Sequence, residues 1–252
     1  MPVVSLERVQ RGAIPFWRFP GIDVPGLTVG VTGREGGVST GPYGSLNLGA
    51  HVGDLPTAVA MNALMLSSAF GGEGVTFVNQ VHGSAVVESS LVTPDTEADA
   101  IVVRVGDRAV GIRVADCVPI AIINPRQRVC VVVHAGWRGL ATGVIERAVH
   151  AVMAEPGDLV AVVGPSISHA AYQVGPEVIA QHDDFARHSR SDVGDRFKLD
   201  LRAVTATQLS RAGVNDDQQW FSLDVTDGGE KFFSDRAERP CGRFALIAKW
   251  ES

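Results

Sequence analysis

The chain has 252 residues, of which 45% are apolar and 20% are charged, a balance that supports a packed core and excludes a disordered chain. Its net charge is −6 and no basic stripe is present, so we expect no nucleic-acid partner. No apolar run approaches the ~18 residues that span a bilayer. Charged residues occupy the N-terminal region where a signal peptide has its apolar stretch, and three widely spaced cysteines are typical of a reducing compartment. We therefore expect a cytoplasmic protein with no membrane partner and a small-molecule ligand.

The N-terminal half contains a long segment, residues 33–54, that is rich in Gly, Ser, Asn and Pro. Because glycine and proline interrupt regular structure every few residues, this segment predicts a loop. An ordered loop of such length is more often functional than incidental. The next segment, TAVAMNALMLSSAFGG, predicts a helix that ends at glycine, with Thr57 as its N-cap.

Short β-branched runs follow, and several lack the alternation of half-buried strands, which is typical of strands covered on both faces. They predict strands at 75–78, 100–105, 109–115, 119–123, 129–133, 158–164 and 243–250. Apolar residues at steps of four predict an amphipathic helix over 139–153, with further helices at 175–188 and 199–213. The order predicts an α+β protein, one layered α/β domain over 1–252 in which helices cover a mixed sheet.

Three residues that could bind a metal occupy equivalent places in this pattern. His82, Cys117 and His134 each lie where a predicted buried strand gives way to a turn. Strand ends commonly carry functional side chains, and imidazole and thiolate are the ligands that zinc prefers. Three protein ligands would leave one coordination position open, as in catalytic sites. On spacing alone, a core cysteine at 117 and hydrogen-bonded histidines remain an equal alternative, and Cys130 is better explained as a core residue.

The motif HAGWRG places two glycines and Arg138 between a strand and a helix. Backbone N–H groups at a helix N-terminus attract anions, and a guanidinium can add a bidentate contact. A phosphate is therefore expected beside the metal. A tight turn with a solvated arginine is the alternative.

Six motifs together resemble the YfiH-like family, from about residue 30 to about 247. In chain order they are GGVSTGPYGSLNLGAHVGD, NQVHG, ADCVPI, HAGWRG, GPSIS with YQVG, and KFFSDR. That family carries the description multicopper polyphenol oxidoreductase laccase and is understood to contain zinc-dependent purine nucleoside phosphorylases. The resemblance implies its fold, which is related to a class of proposed cysteine hydrolases.

The resemblance further implies that His82, Cys117 and His134 bind Zn²⁺. It implies phosphorolysis of adenosine, inosine and methylthioadenosine, with adenosine deamination as a second activity and a downstream link to cell-wall peptide editing. Purine nucleosides and phosphate would then be the partners. A multicopper oxidase needs several copper sites and His-x-His pairs, whereas this chain has seven histidines and no such pair. Zinc is therefore favoured over copper.

The chain departs from the family pattern at three places, which puts its substrate preference in question. Ala63 follows Asn62 where members often have Arg. Near the C-terminus, Val225-Thr226 replaces a common Cys-Thr pair, and Asp235-Arg236-Ala237 replaces a Tyr-Arg-Arg or His-Arg-Arg run.

The remaining site residues are hypotheses about substrate binding. Arg138 is the first candidate for phosphate and Arg34 the second. Asn47 is expected to hold ribose hydroxyls or the purine edge. Asp116 is expected to orient a ligand or transfer a proton, with a structural hydrogen bond as the alternative.

Two other functions stay open on the sequence. In the first, Cys117 is a thiolate nucleophile and His134 its base, which would make a cysteine hydrolase. In the second, the metal is structural and the groove senses a nucleotide or peptide.

Overall fold

A computed structural model gives the structure of residues 1–152 and 158–251, in which two large β-sheets pack face to face between layers of helices. The strands are β1 Val3–Val4, β2 Glu7–Arg11, β3 Ile14–Arg18, β4 Leu27–Thr32, β5 Val75–Thr76, β6 Val86–Glu88, β7 Ala100–Arg104, β8 Ala109–Val114, β9 Val118–Asn124, β10 Val129–Ala135, β11 Val160–Val163, β12 Gln173–Val174, β13 Ser189–Ser191, β14 Phe197–Leu199, β15 Gln219–Ser222 and β16 Phe244–Trp250. The helices are α1 Pro56–Ala69, α2 Trp137–Ala141, α3 Val144–Ala151, α4 Pro176–Ile179, α5 Asp183–Arg187 and α6 Leu201–Arg211. Short 3₁₀ turns occur at Gly41–Tyr43, Ser89–Leu91 and Asp216–Gln218.

The first sheet has seven strands in the order β1-β15-β11-β9-β10-β7-β6. It is mixed, because β9 pairs antiparallel with β10 and β11, whereas β6 runs parallel to β7 and β11 parallel to β15. The second sheet has six strands in the order β2-β3-β4-β16-β8-β5 and is antiparallel except for β5. A small antiparallel sheet, β12-β14-β13, lies apart from both.

Alternating side chains of the central strands build two separate cores. Along β10, Val131 faces the helices α2, α3 and α6, whereas Val132 faces the second sheet. A third cluster lies on the outer face of the second sheet, where Leu66 of α1 and Phe70, which follows the helix, pack with Phe16. The α+β class and the layered mixed sheet predicted from the sequence are confirmed. The second face of that sheet, however, is covered by another sheet rather than by helices.

The predicted helix over 139–153 is two helices, because Gly143 interrupts it. Gly143 has φ +80° and ψ +35°, a left-handed conformation that ends α2 and begins α3. The four apolar positions of the predicted stripe are nevertheless buried as expected: Leu140, Val144, Ala148 and Val152. Met153 lies outside the described residues. The predicted helix over 175–188 is likewise two short helices, α4 and α5.

The loop over 33–54 is confirmed, and one helix residue holds much of it. The side-chain oxygen of Asn62 accepts the N–H of Val38 at 2.8 Å, and its amide donates to the carbonyls of Ser45 and Asn47 at 3.1 and 2.9 Å. The prediction of Thr57 as the N-cap of α1 is wrong. Pro56 takes the first helical position, where its missing N–H costs nothing, so Leu55 becomes the cap residue.

The strand predictions for β7 to β10 agree with the structure to within two residues at each end. Of the predicted run 75–78, only Val75–Thr76 is a strand. No strand was expected before residue 33, and the structure has four there. None of the helices in the described part of the chain has the length and hydropathy needed to cross a lipid bilayer.

Replacing Gly143 by Ala should destabilise the protein, because a Cβ strains a left-handed backbone even where space is free. The nearest atom to such a Cβ is Glu146 Oε2, 3.8 Å away. We expect a loss of about 1 kcal/mol, measured as a lower urea midpoint with an unchanged m-value. Gly229→Ala is the control, since Gly229 lacks a positive φ and a Cβ added there would have no neighbour within 4 Å. Equal midpoints for both variants would contradict the explanation.

Candidate metal centre

The sequence-predicted ligands His82, Cys117 and His134 come together in the structure. Their ligand atoms all lie within 4.8 Å of one another. His82 lies in the connection from β5 to β6, and Cys117 lies between β8 and β9, so both connections cross from the second sheet to the first. His134 lies inside β10 rather than after it, which corrects the predicted strand end. The cluster therefore lies where the two sheets meet.

Antiparallel pairing explains why Cys117 and His134 are neighbours despite their separation in sequence. His134 is opposite Pro119, and Ala135 is opposite Val118, so the residue before β9 lies beside the end of β10. Two unusual backbone conformations accompany the ligands: His82 has φ +59° and Asp116 has φ +86°. Such conformations are uncommon for non-glycine residues and cluster at functional sites.

Asp99, which the sequence analysis did not single out, holds two of the three ligands. Its carboxylate is buried and lies 2.7 Å from Nδ1 of His134. It also accepts backbone N–H groups from His82 at 3.0 Å and Gly83 at 2.6 Å. Because Nδ1 of His134 is engaged, Nε2 is the atom left for a metal. A carboxylate behind a histidine ligand is the usual device that orients the ring and increases its basicity.

The charges in the cluster favour metal binding. Burial alone would raise the pKa of Cys117, but the positive His134 ring and hydrogen bonds from His134 and His82 lower it to about 6. Burial would lower the pKa of His134, but the Cys117 thiolate and Asp99 raise it to about 9. Both shifts favour the charged forms of the pair, the thiolate of Cys117 and the imidazolium of His134. The thiolate is the form that binds metals, and an ion would replace the imidazolium proton.

The glycines of HAGWRG allow the backbone to approach the ligands closely. A Cβ on Gly136 would lie 3.0 Å from Cys117 Sγ and 3.1 Å from His82 Cδ2. A Cβ on Gly139 would lie 2.8 Å from the carbonyl oxygen of Gly83. Gly136 therefore leaves room at the cluster, and Gly139 lets α2 pack on the His82 loop.

The donor set fits one mononuclear zinc ion. Two imidazoles and one thiolate are borderline-soft ligands that suit zinc, and three protein ligands are the number found in catalytic zinc sites. The same set also occurs in mononuclear copper sites. Within residues 1–152 and 158–251, no second cluster of three or more potential ligands is present.

Arg138 and Arg34, the two predicted phosphate ligands, have different surroundings. Arg138 is exposed, and its guanidinium carbon lies 4.3 Å from the centroid of the Trp137 ring. Arg34 forms an ion pair with Glu238 at 2.9 Å, donates to the Gly44 carbonyl and stacks on Phe233. Arg138 is therefore available to a ligand, whereas the Arg34 guanidinium is already paired.

Asn47 and Asp116 are both buried in hydrogen-bond networks. The Asn47 amide donates to Gly49 and Asp54, and its oxygen accepts the backbone N–H of Gly49 and Arg243. The carboxylate of Asp116 accepts three hydrogen bonds, from Thr226 Oγ1, Ser234 Oγ and the N–H of Arg236. Because Asp116 directly precedes Cys117, these hydrogen bonds hold the C-terminal segment close to the Cys117 backbone.

Tyr172 is a further site residue that the sequence analysis did not name individually. Burial raises its pKa, as does the charge of Cys117, while Arg236 and Arg138 act in the opposite direction. The guanidinium carbon of Arg236 lies 5.1 Å from the centroid of its ring. Its hydroxyl makes no hydrogen bond with any other residue that the structure describes. The position within YQVG was the only sequence signal.

Comparison with known proteins identifies the family. Residues 28–251 match the family model described as multi-copper polyphenol oxidoreductase laccase. The chain belongs to this family. The resemblance to YfiH-like proteins is thereby confirmed, since relatives and solved structures of that name match the chain.

Named members of the multi-copper polyphenol oxidoreductase laccase family align with nearly the whole chain. A Haemophilus influenzae protein named purine nucleoside phosphorylase is 33% identical over 245 residues, which cover 94% of this chain and 98% of that protein. Purine nucleoside phosphorylase YfiH of Escherichia coli K12 is 33% identical over 239 residues, covering 92% and 96%. The crystal structure of YlmD from Geobacillus stearothermophilus has a TM-score of 0.88 and 27% identity, covering 98% of this chain and 99% of that one.

Two of the three departures from the family pattern lie in segments that bind Asp116. Val225 is exposed, but the following Thr226 still binds Asp116. Asp235 forms ion pairs with Arg239 and Arg243. Ala63 lies on the exposed side of α1, next to the buried Asn62. The C-terminal segments that depart from the pattern therefore keep their hydrogen bonds to Asp116, and the ligand cluster is intact.

Asp99→Asn should weaken metal binding, because the amide cannot supply the negative charge that orients and polarises His134. We expect a loss in zinc affinity of about 10- to 100-fold, measured by competition with a chromophoric chelator. Asp95→Asn is the control, since Asp95 is exposed in the same segment. An Asp99→Asn protein that is folded and binds zinc as tightly as wild type would refute this role.

Proposed function

We propose that this protein is a zinc-dependent purine nucleoside phosphorylase. Its substrates are adenosine, inosine and methylthioadenosine, and adenosine deamination is a second activity of the same centre. The observation that carries the proposal is the convergence of His82, Cys117 and His134 within 4.8 Å, in a chain whose relatives are named purine nucleoside phosphorylases. We also propose that it acts as one domain in the cytoplasm, without nucleic-acid or membrane partners.

The zinc ligands are His82, Cys117 and His134, with Asp99 holding His134. Bound there, zinc would act as a Lewis acid that polarises an oxygen of the substrate or of water. The chain's own residues orient the reactants around this centre. Gly136 keeps the approach to the ligands free, because even a methyl group would lie against Cys117 and His82.

Arg138 and Tyr172 are the residues that we assign to substrate contact on one side of the centre. Arg138 is exposed and unpaired among the described residues, so it can bind phosphate at the rim of the site. The Tyr172 hydroxyl is half-buried and has a free donor, which suits a ribose or purine heteroatom. The Asp116 carboxylate accepts two hydrogen bonds at Oδ1 and one at Oδ2, so one lone pair of Oδ2 is left for proton transfer.

The predicted contacts of Arg34 and Asn47 with substrate have less support. Every polar group of the Asn47 side chain already bonds within the loop or to Arg243. We therefore propose that both residues act by shaping the loop over 33–54, with Arg34 fixed by Glu238.

A cysteine hydrolase is the second candidate, and one observation favours it. Cys117, His134 and Asp99 have the order of nucleophile, base and orienting acid, with Asp99 at 2.7 Å from the ring. Iodoacetamide would abolish activity of the metal-free protein if this were correct. In the phosphorylase, bound zinc should protect Cys117 from alkylation.

The experiment for the proposed function combines metal analysis with a nucleoside assay. We expect about one zinc per chain, because the described residues contain one cluster of three ligands. Adenine should be released from adenosine only when phosphate is added, and hypoxanthine from inosine likewise. Copper in place of zinc, with oxidation of polyphenols, would instead support the literal family description.

Cys117→Ser should lose zinc and phosphorolysis together, because a hydroxyl is a much poorer zinc ligand than a thiolate. Cys130→Ala is the matched control, since Cys130 is fully buried among apolar residues between the sheets and does not belong to the ligand cluster. A folded, metal-free Cys117→Ser protein with wild-type activity on adenosine would refute the proposal.

A further inference from the structure

Arg113 is a half-buried arginine whose backbone is tied to the metal-binding loop. It is the next-to-last residue of β8, four residues before Cys117. The side chain of Gln80 binds it twice: Gln80 Oε1 accepts the Arg113 N–H, and Gln80 Nε2 donates to its carbonyl, both at 2.7 Å. Gln80 precedes His82 by two residues, so one side chain fixes Arg113 relative to the segment that carries a zinc ligand.

The guanidinium of Arg113 has no partner in the described structure. Its central carbon lies 4.0 Å from the centroid of the Phe77 ring, and its buried Nε makes no hydrogen bond. No ion pair joins it to any carboxylate of residues 1–152 and 158–251. Burial lowers the pKa of Arg113 to about 10, and no acidic neighbour offsets this effect. A buried donor without an acceptor costs free energy, and a guanidinium that has neither an acceptor nor a counter-charge is available to a ligand that supplies both.

The neighbours of Arg113 are basic and lie beside the metal cluster. Burial lowers the pKa of His51, and the charges of Arg243, Arg113 and His82 lower it further, so these four residues share one region. Arg243 is neutralised by Asp235 at 2.9 Å and by the carbonyls of Cys241 and Gly242. One positive charge, that of Arg113, therefore remains without a balancing charge next to His82.

We propose that Arg113, together with His51, binds the phosphate that attacks the nucleoside, as an inner oxyanion site beside the metal. This inference rests on the proposed phosphorylase function, and it names a residue for the second substrate. The guanidinium offers a planar pair of donors that matches two phosphate oxygens, and His51 offers one further ring N–H. Arg138 has different neighbours, Trp137 and Tyr172, and contacts substrate from the exposed rim.

The variant Arg113→Met separates phosphate binding from a structural role. A structural role predicts that the variant is less stable than wild type without phosphate, whereas phosphate binding predicts that it is not. In phosphate-free buffer, the unfolding temperature of zinc-loaded Arg113→Met should equal or exceed that of wild type, since a buried, unsatisfied Nε and a charge without a counter-charge have been removed. Wild type should gain several degrees when sodium phosphate replaces sodium chloride at equal ionic strength, and the variant should lose this gain. Arg108→Met is the matched control: Arg108 is exposed at the start of the same strand region and should keep the phosphate effect.

The kinetic arm uses inosine with phosphate as the varied substrate. Arg113→Met should raise the KM for phosphate by roughly tenfold or more, as expected for a lost charge-assisted hydrogen bond, with a much smaller change in the KM for inosine. Arg113→Lys should restore part of the phosphate affinity. A folded, zinc-loaded Arg113→Met protein with wild-type phosphate KM and stabilisation would overturn the proposal, as would lower stability without phosphate.

The two arms also separate this proposal from the proposed function. If wild type is stabilised by phosphate through Arg113 but cleaves no nucleoside, the oxyanion site stands and the phosphorylase function fails. If wild type cleaves inosine with phosphate and Arg113→Met is unchanged in both arms, the function stands and this site is wrong.

Discussion

The hydrogen bonds of the Asp99 carboxylate are the constraint on which the site depends. One buried group fixes the ring of His134 at 2.7 Å and the backbone of the loop that carries His82. Burial would raise its pKa, but the bonds from His134, Gly83 and Val81 lower it, so the carboxylate stays ionised. The negative charge is therefore held in place by the same groups that it orients. Removing it would leave two of the three ligands without a fixed direction, although neither ligand itself would have changed.

The two-sheet architecture explains why such a carboxylate is needed. Connections that cross from one sheet to the other carry His82 and Cys117, whereas His134 belongs to a strand. The backbone of a strand residue is held by hydrogen bonds to the neighbouring strands. A connection between two sheets lacks these bonds, so its position depends on individual hydrogen bonds to other groups. Asp99 supplies them for His82, and Asp116 supplies them beside Cys117 by binding the C-terminal segment. Each flexible ligand thus has a buried acid next to it, and the left-handed backbones at His82 and Asp116 are held by these bonds.

Much of this fold could be predicted because a strand that is buried on both faces has a continuous run of apolar residues in the sequence. Strands β7 to β10 are continuous apolar runs, and their bounds followed from those runs. Strand β2 has one apolar residue, Val9, among charged and polar ones, so it gave no such signal. The three predicted ligands come together in the structure, but this convergence depends on the register of β9 and β10, which no local pattern encodes. Asn47 shows the converse limit: its polar side chain suggested substrate binding, whereas the loop itself uses every one of its hydrogen-bonding groups.

The charges around the site show how an acidic protein can bind an anion. With a net charge of −6, the chain as a whole repels phosphate at long range, so attraction must come from local, poorly solvated charges. Arg34 and Arg243 cannot supply it, because Glu238 and Asp235 neutralise them. Arg113 lacks such a partner and packs half-buried against Phe77, where a charge interacts more strongly than in water. An arginine with a structural role is expected to have carboxylate or carbonyl acceptors, as Arg34 and Arg202 do. Its isolation beside His82 is therefore better explained by a negative ligand that completes the site.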